Sequence, residues 1–402
     1  GDREAARRLA TDLEASDDPA LRDRARLLLQ SADAPPVDRD KIGVLLPLTG
    51  KYASVAEQVR AALVDGWSQV VSGHDLLFTD TGGTADGAVA ALDGLVRDQH
   101  VIAVIGPLLS DETAAVIDEA SALAVPLVTL SQAWEGDADH PWVFQGWLTP
   151  GQQIDALLDV AMGERNMHDF AVYAPTSSYG THAADLFVER VTARGGHVVT
   201  RADYPEDTKA HGDYVTKLRG ADTPRGQRWF DAVFVPDNAN RVVLAAASMA
   251  YAEISIGDFR AQGREPVPLL GLSGWNRPEI VINGGANTRG GLFTDVYVPP
   301  PTGGQVWFSL AAWREFTTRY QEGTGRTPSA IEALASDAGR VVGTVFRSSP
   351  TDRYDFRNAL LAVRPTGTIS EATGFDPATR TLTRRVAVIE VRAEGLRPLG
   401  YE

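Results

Sequence analysis

The sequence predicts an α/β protein of two doubly wound lobes joined by a multi-strand hinge, with a short helical extension at its N-terminus. Three observations support this prediction. From Lys41 onward, short apolar runs alternate with segments of helical periodicity. The same rhythm restarts near residue 150, which indicates a second parallel sheet covered on both faces by helices. Short stretches at 145–150, 294–299 and 364–370 can carry the chain between the two lobes.

The first 36 residues differ in pattern from the rest of the chain. Leucines recur among Ala, Arg and Asp, with a break at Asp17-Asp18-Pro19, which predicts two short amphipathic helices. Ala34-Pro35-Pro36 then forms a stiff linker. Two interpretations stay open: a stray helical extension, or the end of an upstream helical-repeat domain. Because the chain opens inside a helical pattern, we expect a longer precursor.

The first lobe is predicted to contain residues 41–146 and 299–364. Its first strand ends at Pro47 and Gly50, both of which break a strand. The strands are predicted at Ile42–Leu46, Leu76–Thr79, Val101–Ile105 and Pro126–Leu130, and the helices at Ala53–Val71, Asp86–Asp98, Asp111–Leu123, Gly304–Glu322, Ser329–Arg347 and Tyr354–Ala362.

The second lobe is predicted to contain residues 150–294 and 370–402. A final hairpin around Arg380–Val391 would return to this lobe after the third crossing. The other strands are predicted at Phe170–Tyr173, His197–Thr200, Ala232–Val235, Val267–Leu270 and Leu292–Val298, and the helices at Gly151–Arg165, Tyr179–Arg194, Thr208–Leu218 and Asn240–Tyr251.

Composition and motifs exclude several classes of protein. With 38 Lys+Arg against 53 Asp+Glu, the 402 residues carry a net charge of −15, which disfavours nucleic acid as a partner. The chain has no cysteine, so thiol catalysis and Fe–S clusters are excluded. It contains no P-loop motif, no G-x-G-x-x-G after the first strand and no H-E-x-x-H, and no apolar run long enough to cross a bilayer. We therefore expect no cofactor, no metal and no catalytic group.

Small polar residues cluster where predicted strands end. Ser110 follows the strand Val101–Ile105 and can either cap the next helix or, with the free amides there, receive an anion. Thr129 and Ser131 follow the next strand. Such residues are common in any loop, but their matching placement in both halves favours a ligand site at the carboxyl ends of the strands. In the second half these segments are Thr176–Gly180, Pro236–Asn238 and Ser273–Asn276.

One of these segments deserves comparison with an enzyme motif. Gly271-Leu272-Ser273-Gly274-Trp275 is similar to the nucleophile elbow of hydrolases, but its second glycine comes one position early. We therefore interpret Ser273 as a hydrogen-bonding residue at a strand exit.

Six stretches of the chain occur together in a familiar order. They are Ile42–Ala53 (IGVLLPLTGKYA), Ile105–Ser110 (IGPLLS), Val125–Ser131 (VPLVTLS), Tyr179-Gly180, Gly274–Glu279 (GWNRPE) and Thr327-Pro328-Ser329. In this order they resemble the type I periplasmic-binding-protein superfamily, in particular its branched-chain amino-acid (Leu/Ile/Val) receptors. The resemblance implies two lobes that close around a small solute.

The resemblance also implies roles for individual residues. Ser110 would hold a ligand carboxylate, and Thr129 and Ser131 would bond the carboxylate or amino group. Tyr52 would line the wall of the first lobe, and Tyr179 would close from the second. The remaining predicted ligand-binding residues are Asn238, Ser273 and Trp275.

This chain departs from the amino-acid receptors at one position. Those receptors carry an acid, which pairs with the ligand ammonium, where this chain has Ser273. Asp237 or Asp80 could compensate, although neither is at the matching place. The resemblance implies an extracytoplasmic, non-catalytic solute-binding protein for ABC-type uptake or sensing. Its ligand would be small and polar or zwitterionic, its partner a membrane ABC permease, and its full-length precursor lipid-anchored in the periplasm.

A second resemblance suggests another partner. The N-terminal helices and the stretch Pro268–Asn276 (PLLGLSGWN) look like the penicillin-binding-protein activator lipoproteins of the outer membrane. In that branch the fold serves as a protein-binding module. The alternative function is therefore activation of a peptidoglycan synthase through protein contacts.

Overall fold

The computed structural model describes residues 3–132, 134–219, 230–261, 264–297 and 310–399. The chain divides into two compact units. The first contains Gly1–Leu148 and Phe308–Arg385, and the second contains Thr149–Trp307 and Val386–Glu402. The first passage, after Leu148, lies within the predicted stretch 145–150. The last passage follows Arg385 rather than falling at 364–370, and the predicted stretch 294–299 ends outside the described residues.

The helices and strands alternate along most of the chain. In order they are α1 (Arg3–Glu14), α2 (Pro19–Asp33), β1 (Asp38–Leu46), α3 (Ala53–Ser68), β2 (Leu77–Asp80), α4 (Ala85–Asp93), β3 (Val101–Ile105), α5 (Ser110–Ala122), β4 (Leu127–Thr129), β5 (Val143–Gln145), α6 (Pro150–Leu158), β6 (Asp169–Pro175), α7 (Ser178–Ala193), β7 (His197–Tyr204), α8 (Gly212–Arg219), β8 (Ala232–Phe234), α9 (Ala239–Tyr251), β9 (Leu269–Gly271), α10 (Glu279–Ile282), β10 (Leu292–Asp295), α11 (Leu310–Thr324), α12 (Ala330–Phe346), α13 (Arg353–Ala362), β11 (Gly374–Phe375), β12 (Leu382–Thr383), β13 (Ala387–Arg392) and β14 (Gly395–Pro398).

The two N-terminal helices form as predicted and belong to the first unit. Asp18 caps α2 by accepting a hydrogen bond from the Ala20 amide at 2.9 Å, and Pro19 occupies the first turn, where no amide is needed. The indole of Trp142 donates to the Gln30 side chain at 2.9 Å. The second helix is therefore attached to the body of the unit.

The first unit is built on a five-stranded parallel sheet with the order β2-β1-β3-β4-β5. The core strands are apolar on both faces because helices cover both sides. Residues Ile42 to Leu46 of β1 and Val101 to Ile105 of β3 are all buried. The sequence analysis did not find β5, which is only three residues long and follows a polar loop.

Helices α3 and α12 pack at unusually short range. A Cβ at Gly66 would lie 1.8 Å from the carbonyl oxygen of Ser336, and one at Gly339 would lie 2.2 Å from that of Leu63. Glycine costs about 1 kcal/mol relative to alanine inside a helix. Here the two glycines allow the backbones to touch, and this contact fixes α12 against the first sheet.

The second unit repeats the same strand order. Its sheet has the order β14-β13-β10-β9-β8-β6-β7. The five strands β10, β9, β8, β6 and β7 run parallel to one another. The strands β13 and β14 add an antiparallel hairpin beside β10. The core lies where α6 and α7 pack on the sheet, around Phe170, Phe187 and Phe234.

The last hairpin is displaced from its predicted position. We expected it around Arg380–Val391, whereas the hairpin of the second sheet is β13–β14. The preceding strands β11 and β12 form a separate small hairpin that belongs to the first unit. The reason is a contact between residues distant in sequence: both Ser370 and Ile369 donate backbone hydrogen bonds to the buried carboxylate of Asp337 on α12.

Several element boundaries also differ from prediction. The helices predicted to reach Asp98 and Arg165 end earlier and continue as wider π-type turns at Gly94–Asp98 and Asp159–Glu164. The strand predicted to reach Val298 ends at Asp295. The predicted start of the helix Gly304–Glu322 lies outside the described residues. None of the helices that the structure describes is long and apolar enough to cross a membrane.

Candidate functional site

Each sheet changes direction at one point in its strand order. Since both sheets have the order 2-1-3-4-5 in their own numbering, this point lies between β1 and β3 in the first unit and between β6 and β8 in the second. In open α/β sheets, ligands bind outside the carboxyl ends of the strands at such a point. The loops that follow β1 and β3 in the first unit, and β6 and β8 in the second, therefore contain the candidate site residues.

In the first unit, Asp80 at the end of β2 organises the loop that follows β1. Its carboxylate accepts the Thr49 hydroxyl at 2.6 Å, the Thr49 amide at 3.2 Å and the Gly82 amide at 2.9 Å. The bond from the Thr49 hydroxyl is the main reason why the pKa of Asp80 is lowered. Both oxygens of Asp80 are thus used to hold the loops together.

Tyr52 ends a short 3₁₀ turn in the same loop, Gly50–Tyr52. The residue is half-buried, and the Lys51 ammonium lies 4.6 Å from its ring centroid. A Cβ added at Gly83 would lie 3.4 Å from the ring. The tyrosine therefore lies between the loops that follow β1 and β2, and its role in lining a ligand site stays a prediction.

Ser110 is the first residue of α5, and it does not cap the helix. The capping position is Leu109, whose amide is bonded 3.3 Å away by the side chain of Glu112. Glu112 is buried and also accepts the Thr81 hydroxyl, and burial raises its pKa. Since Glu112 performs the capping, the prediction that Ser110 caps is wrong. The exposed Ser110 hydroxyl bonds no residue in the part of the chain that the structure describes.

Gly106 brings this loop close to the end of β1. Its φ of +103° is rarely adopted by other residues, and a Cβ there would lie 2.3 Å from the Leu45 carbonyl oxygen. The peptide bond to Pro107 is cis. Glycine is therefore required where the loop that leads to Ser110 leaves β3.

Thr129 and Ser131 are both buried and adjoin the side chain of Gln145 on β5. The Thr129 hydroxyl donates to Gln145 Oε1 at 2.9 Å, and Gln145 Nε2 donates to the Ser131 carbonyl at 2.9 Å. Gln145 also bonds the Trp134 carbonyl and accepts the Trp147 amide at 2.9 Å. The sequence analysis missed Gln145 because it lies on the strand that was not predicted.

In the second unit, Asp237 follows β8 and is surrounded by donors. Its carboxylate accepts the Tyr204 hydroxyl at 2.8 Å, the Asn238 amide at 2.7 Å and the Asn238 side chain at 3.0 Å. The Arg241 guanidinium lies 3.7 Å away. Asn238 also caps α9 by accepting the Arg241 amide at 3.2 Å. Asp237 and Asn238 thus bond mainly to each other and to their neighbours.

An aromatic cluster that the sequence analysis did not find lies next to Asp237. The rings of Tyr173 and Tyr204 stack at 4.5 Å, and the Tyr173 hydroxyl lies 2.8 Å from His211 Nδ1. Burial raises the pKa of both tyrosines and lowers the pKa of His211, so all three side chains are neutral near pH 7. The sequence predicts this strand to end at Thr200, whereas β7 continues to Tyr204 and so brings Tyr204 into the cluster.

The other predicted residues of the second unit occupy different environments. Tyr179 is partly exposed in the first turn of α7. The Ser273 amide donates to the Gln153 side chain at 2.7 Å. Trp275 is fully buried, its indole donates to the Val235 carbonyl at 3.1 Å, and its ring fills the space beside Gly271. It is therefore a core residue, because the short turn after β9 directs its ring under the sheet.

Within the described ranges, no group of three or more His, Asp or Glu side chains could hold a metal ion. In each unit, the candidate binding residues supply hydroxyls, amides and aromatic rings at strand ends. The acids among them are bonded to neighbouring residues. Such an arrangement can bind a small molecule by hydrogen bonds.

Two doubly wound α/β lobes with this strand order are characteristic of the type I periplasmic binding fold, as the sequence predicted, and the two N-terminal helices precede that fold. The family model described as periplasmic binding protein matches residues 41–395. The chain therefore belongs to this family. The solved structures that it resembles include substrate-binding proteins of branched-chain amino-acid transporters.

Solved structures with this fold include several ABC-transporter proteins. A substrate-binding protein from Sphaerobacter thermophilus is 21% identical with a TM-score of 0.71, covering 90% of this chain and 96% of its own. The branched-chain amino acid transporter substrate binding protein LivJ from Streptococcus pneumoniae, in complex with isoleucine, is 19% identical with a TM-score of 0.64. The match covers 90% of this chain and 99% of LivJ. A solute-binding protein from R. palustris in complex with benzoate is 18% identical with a TM-score of 0.63. The match covers 90% of this chain and 95% of that protein. Comparison with curated protein sequences gives no significant match.

Proposed function

We propose that this protein is an extracytoplasmic solute-binding protein that closes its two lobes around a small, amino-acid-like solute carrying a carboxylate. It performs no chemistry and delivers the solute to a membrane ABC permease or to a sensor. Membership of the periplasmic binding protein family supports the solute-binding role. Isoleucine and benzoate, the ligands of two structurally similar proteins, share a carboxylate, and the proposal adopts this group for the present chain.

The observation that carries the proposal is the state of Ser110. Its hydroxyl is exposed at the first turn of α5, beside the point where the first sheet changes direction, and Glu112 has taken over the capping. The first amides of a helix attract an anion, and a hydroxyl at this place adds a donor. A ligand carboxylate is the group that suits these donors.

The ammonium of an amino acid has weaker support. Asp80 and Asp237, the two acids considered as its partners, already accept hydrogen bonds on both oxygens from neighbouring residues. The proposal therefore assigns most of the binding free energy to the carboxylate and the apolar part of the ligand.

A panel of solutes tests this proposal by thermal shift followed by calorimetric titration. The panel contains leucine, isoleucine, 4-methylpentanoate and benzoate. We expect at least one saturable ligand, and an affinity that is about tenfold weaker in Ser110→Ala because a hydrogen bond to a charged group is lost. Ser72→Ala, an exposed serine of the same unit, is the matched control.

The proposal fails if no solute of the panel binds, or if Ser110→Ala binds as tightly as Ser72→Ala. If, in addition, the immobilised protein binds a peptidoglycan synthase in a pull-down assay, the alternative function, activation of such a synthase through protein contacts, is supported instead. At present that alternative stays a prediction from the sequence.

A further inference from the structure

Two buried arginines of the first unit are anchored on the same short segment of chain, since Arg357 Nε donates to the Pro141 carbonyl and Arg380 Nε donates to the Val143 carbonyl. Arg357 lies on α13, and Arg380 lies in the turn between β11 and β12. Their exposed fractions are 7% and 5%. The backbone of Arg380 is fixed, since its carbonyl accepts the Gln145 amide at 2.9 Å and its amide donates to the Asp376 carbonyl at 2.8 Å. Both guanidiniums are therefore held in place by regular structure.

Neither guanidinium has a carboxylate as a hydrogen-bond partner among the described residues. Arg357 donates from Nε to the Pro141 carbonyl at 2.6 Å and from Nη1 to the Asn358 side chain at 3.1 Å. Arg380 donates from Nε to the Val143 carbonyl at 3.2 Å, and its Nη2 is buried without any hydrogen-bond partner in the described ranges. A guanidinium has five N–H donors, and the buried Nη2 of Arg380 remains available for a further acceptor.

Asp137, the acid that attracts Arg380, is already hydrogen-bonded to other residues. Asp137 attracts Arg380, but its carboxylate accepts the Trp134 indole at 2.9 Å and lies 2.8 Å from His140 Nδ1. Burial, and then repulsion by Arg380, lowers the pKa of Arg357 to about 10, and burial lowers the pKa of Arg380. Both groups still carry their charge at pH 7. Two buried positive charges thus lack a hydrogen-bonded acid among the described residues, since Asp137 attracts Arg380 without bonding it, and this is a costly arrangement.

A third buried arginine shows what a purely structural role looks like here. Arg353, one turn earlier on α13, is 1% exposed and also lacks an acid as a hydrogen-bond partner. Its three nitrogens all donate to backbone carbonyls, namely those of Val101 at 2.9 and 3.1 Å, Pro35 at 3.1 Å and Val96 at 3.4 Å. Arg380 differs because its buried Nη2 has no hydrogen-bond partner among the described residues.

We propose that Arg357 and Arg380 form a binding site for a small oxyanion, such as phosphate, sulfate or a carboxylate group. Two guanidinium forks match the geometry of such oxygens and supply charge-assisted hydrogen bonds. The anion neutralises the pair and satisfies Arg380 Nη2. This site lies on α13 and the β11–β12 turn, and it does not involve Ser110. The proposal is therefore independent of the proposed solute-binding function.

Calorimetric titration of the whole chain with phosphate, sulfate and acetate tests this site, with chloride adjusted to keep the ionic strength constant. We expect one saturable site per chain for at least one of the three anions. Arg357→Gln and Arg380→Gln should each weaken binding at least tenfold. Arg60→Gln, which removes one exposed positive charge from the same unit, is the control and should bind like the unchanged protein.

Thermal unfolding supplies a second readout with opposite signs. In chloride buffer we expect Arg380→Gln to melt at the same or a higher temperature, because one of two repelling charges has gone. In phosphate the unchanged protein should gain several degrees and this variant should gain none. If Arg380→Gln does not fold, Arg380→Lys is used, which keeps the charge but loses the fork and should still weaken binding tenfold.

Absence of a saturable site in the unchanged protein overturns the proposal, as does equal binding by the arginine variants and the Arg60→Gln control. Ser110→Ala must retain the anion site. If that variant loses phosphate binding, the anion occupies the proposed solute site and the pair on α13 is structural only.

Discussion

The Thr129 hydroxyl at the end of β4 donates a 2.9 Å hydrogen bond to Gln145 Oε1 on the neighbouring strand β5. The same glutamine bonds the carbonyls of Ser131 and Trp134 and accepts the Trp147 amide. A single buried side chain thus holds together two strand exits. Thr129 and Ser131, proposed from the resemblance as ligand-binding residues, are positioned by a residue that sequence reasoning did not select.

The first prediction concerns this glutamine. Gln145→Leu should lower the free energy of unfolding by about 2–4 kcal/mol, because it leaves several buried donors and acceptors unpaired. Urea denaturation measures the change. Gln69→Leu, at an exposed position of the same unit, should stay within about 0.5 kcal/mol of the unchanged protein. Equal stability of the two variants would show that water replaces the bonds of Gln145.

The second prediction concerns the chemical group that the solute site recognises. Leucine and 4-methylpentanoate differ only in the ammonium group. Because Asp80 and Asp237 use both oxygens to bind neighbouring residues, we expect the two affinities to agree within about tenfold, or about 1.4 kcal/mol. Competition between the two solutes measures the ratio. A preference for leucine of a hundredfold or more would mean that one of these acids rearranges to bind the ammonium.

The third prediction concerns pH. His140 lies between Asp137 at 2.8 Å and Asp118 at 2.9 Å. Burial opposes the charged form, but the hydrogen bonds to the two acids outweigh it and raise the pKa of His140. A raised pKa stabilises the folded state fully below the ordinary value of about 6.5, and this contribution disappears as the pH rises through the folded value.

Comparison with His140→Asn tests this dependence. The unchanged protein should be more stable than the variant by about 0.5–1 kcal/mol at pH 6, and the difference should shrink as the pH rises above 7. Urea midpoints between pH 5.5 and 8.5 give the curve. A difference that does not change across this range would contradict a charged His140.

The fourth prediction concerns the contact between α3 and α12. Gly66→Ala and Gly339→Ala place a Cβ 1.8 and 2.2 Å from backbone oxygens, so the helices must separate. Each should cost at least 2 kcal/mol, roughly the scale of overpacking in a core. Gly323→Ala, in α11 with no atom within 4 Å of the added Cβ, should be neutral or stabilise by about 0.5–1 kcal/mol. If all three variants behave alike, the close packing is not needed.

The sequence predicted the architecture well because its signals were local. The continuous apolar run of β1 and the break at Pro19 each depend on neighbouring residues. Helix α2 begins at Pro19 as predicted, and β1 contains the predicted Ile42–Leu46 but starts four residues earlier, at Asp38. The strand β5 was missed because three residues carry too little pattern. The third crossing was misplaced because Asp337, more than 30 residues away in sequence, holds Ile369 and Ser370 in the first unit.

The candidate site was predicted less well, for a physical reason. The strand-end positions of Ser110 and Tyr52 followed from the pattern, but the direction of each side chain depends on partners distant in sequence. Glu112, which also binds the Thr81 hydroxyl, caps α5 in place of Ser110. The Val235 carbonyl accepts the indole N–H of Trp275 in the core. No local motif shows such partners. The pair Arg357 and Arg380 is likewise brought together only by the fold.

The repeated strand order has a consequence for how this protein can change over time. Since the strand order determines which loops emerge where the order reverses, the candidate binding residues of each lobe are confined to a few short connections. These connections can exchange side chains while the buried strands keep theirs. A lineage can thereby acquire a receptor for a new solute through a handful of substitutions. Proteins that are only 18–21% identical to this chain share its fold, so the scaffold persists while most of the sequence changes.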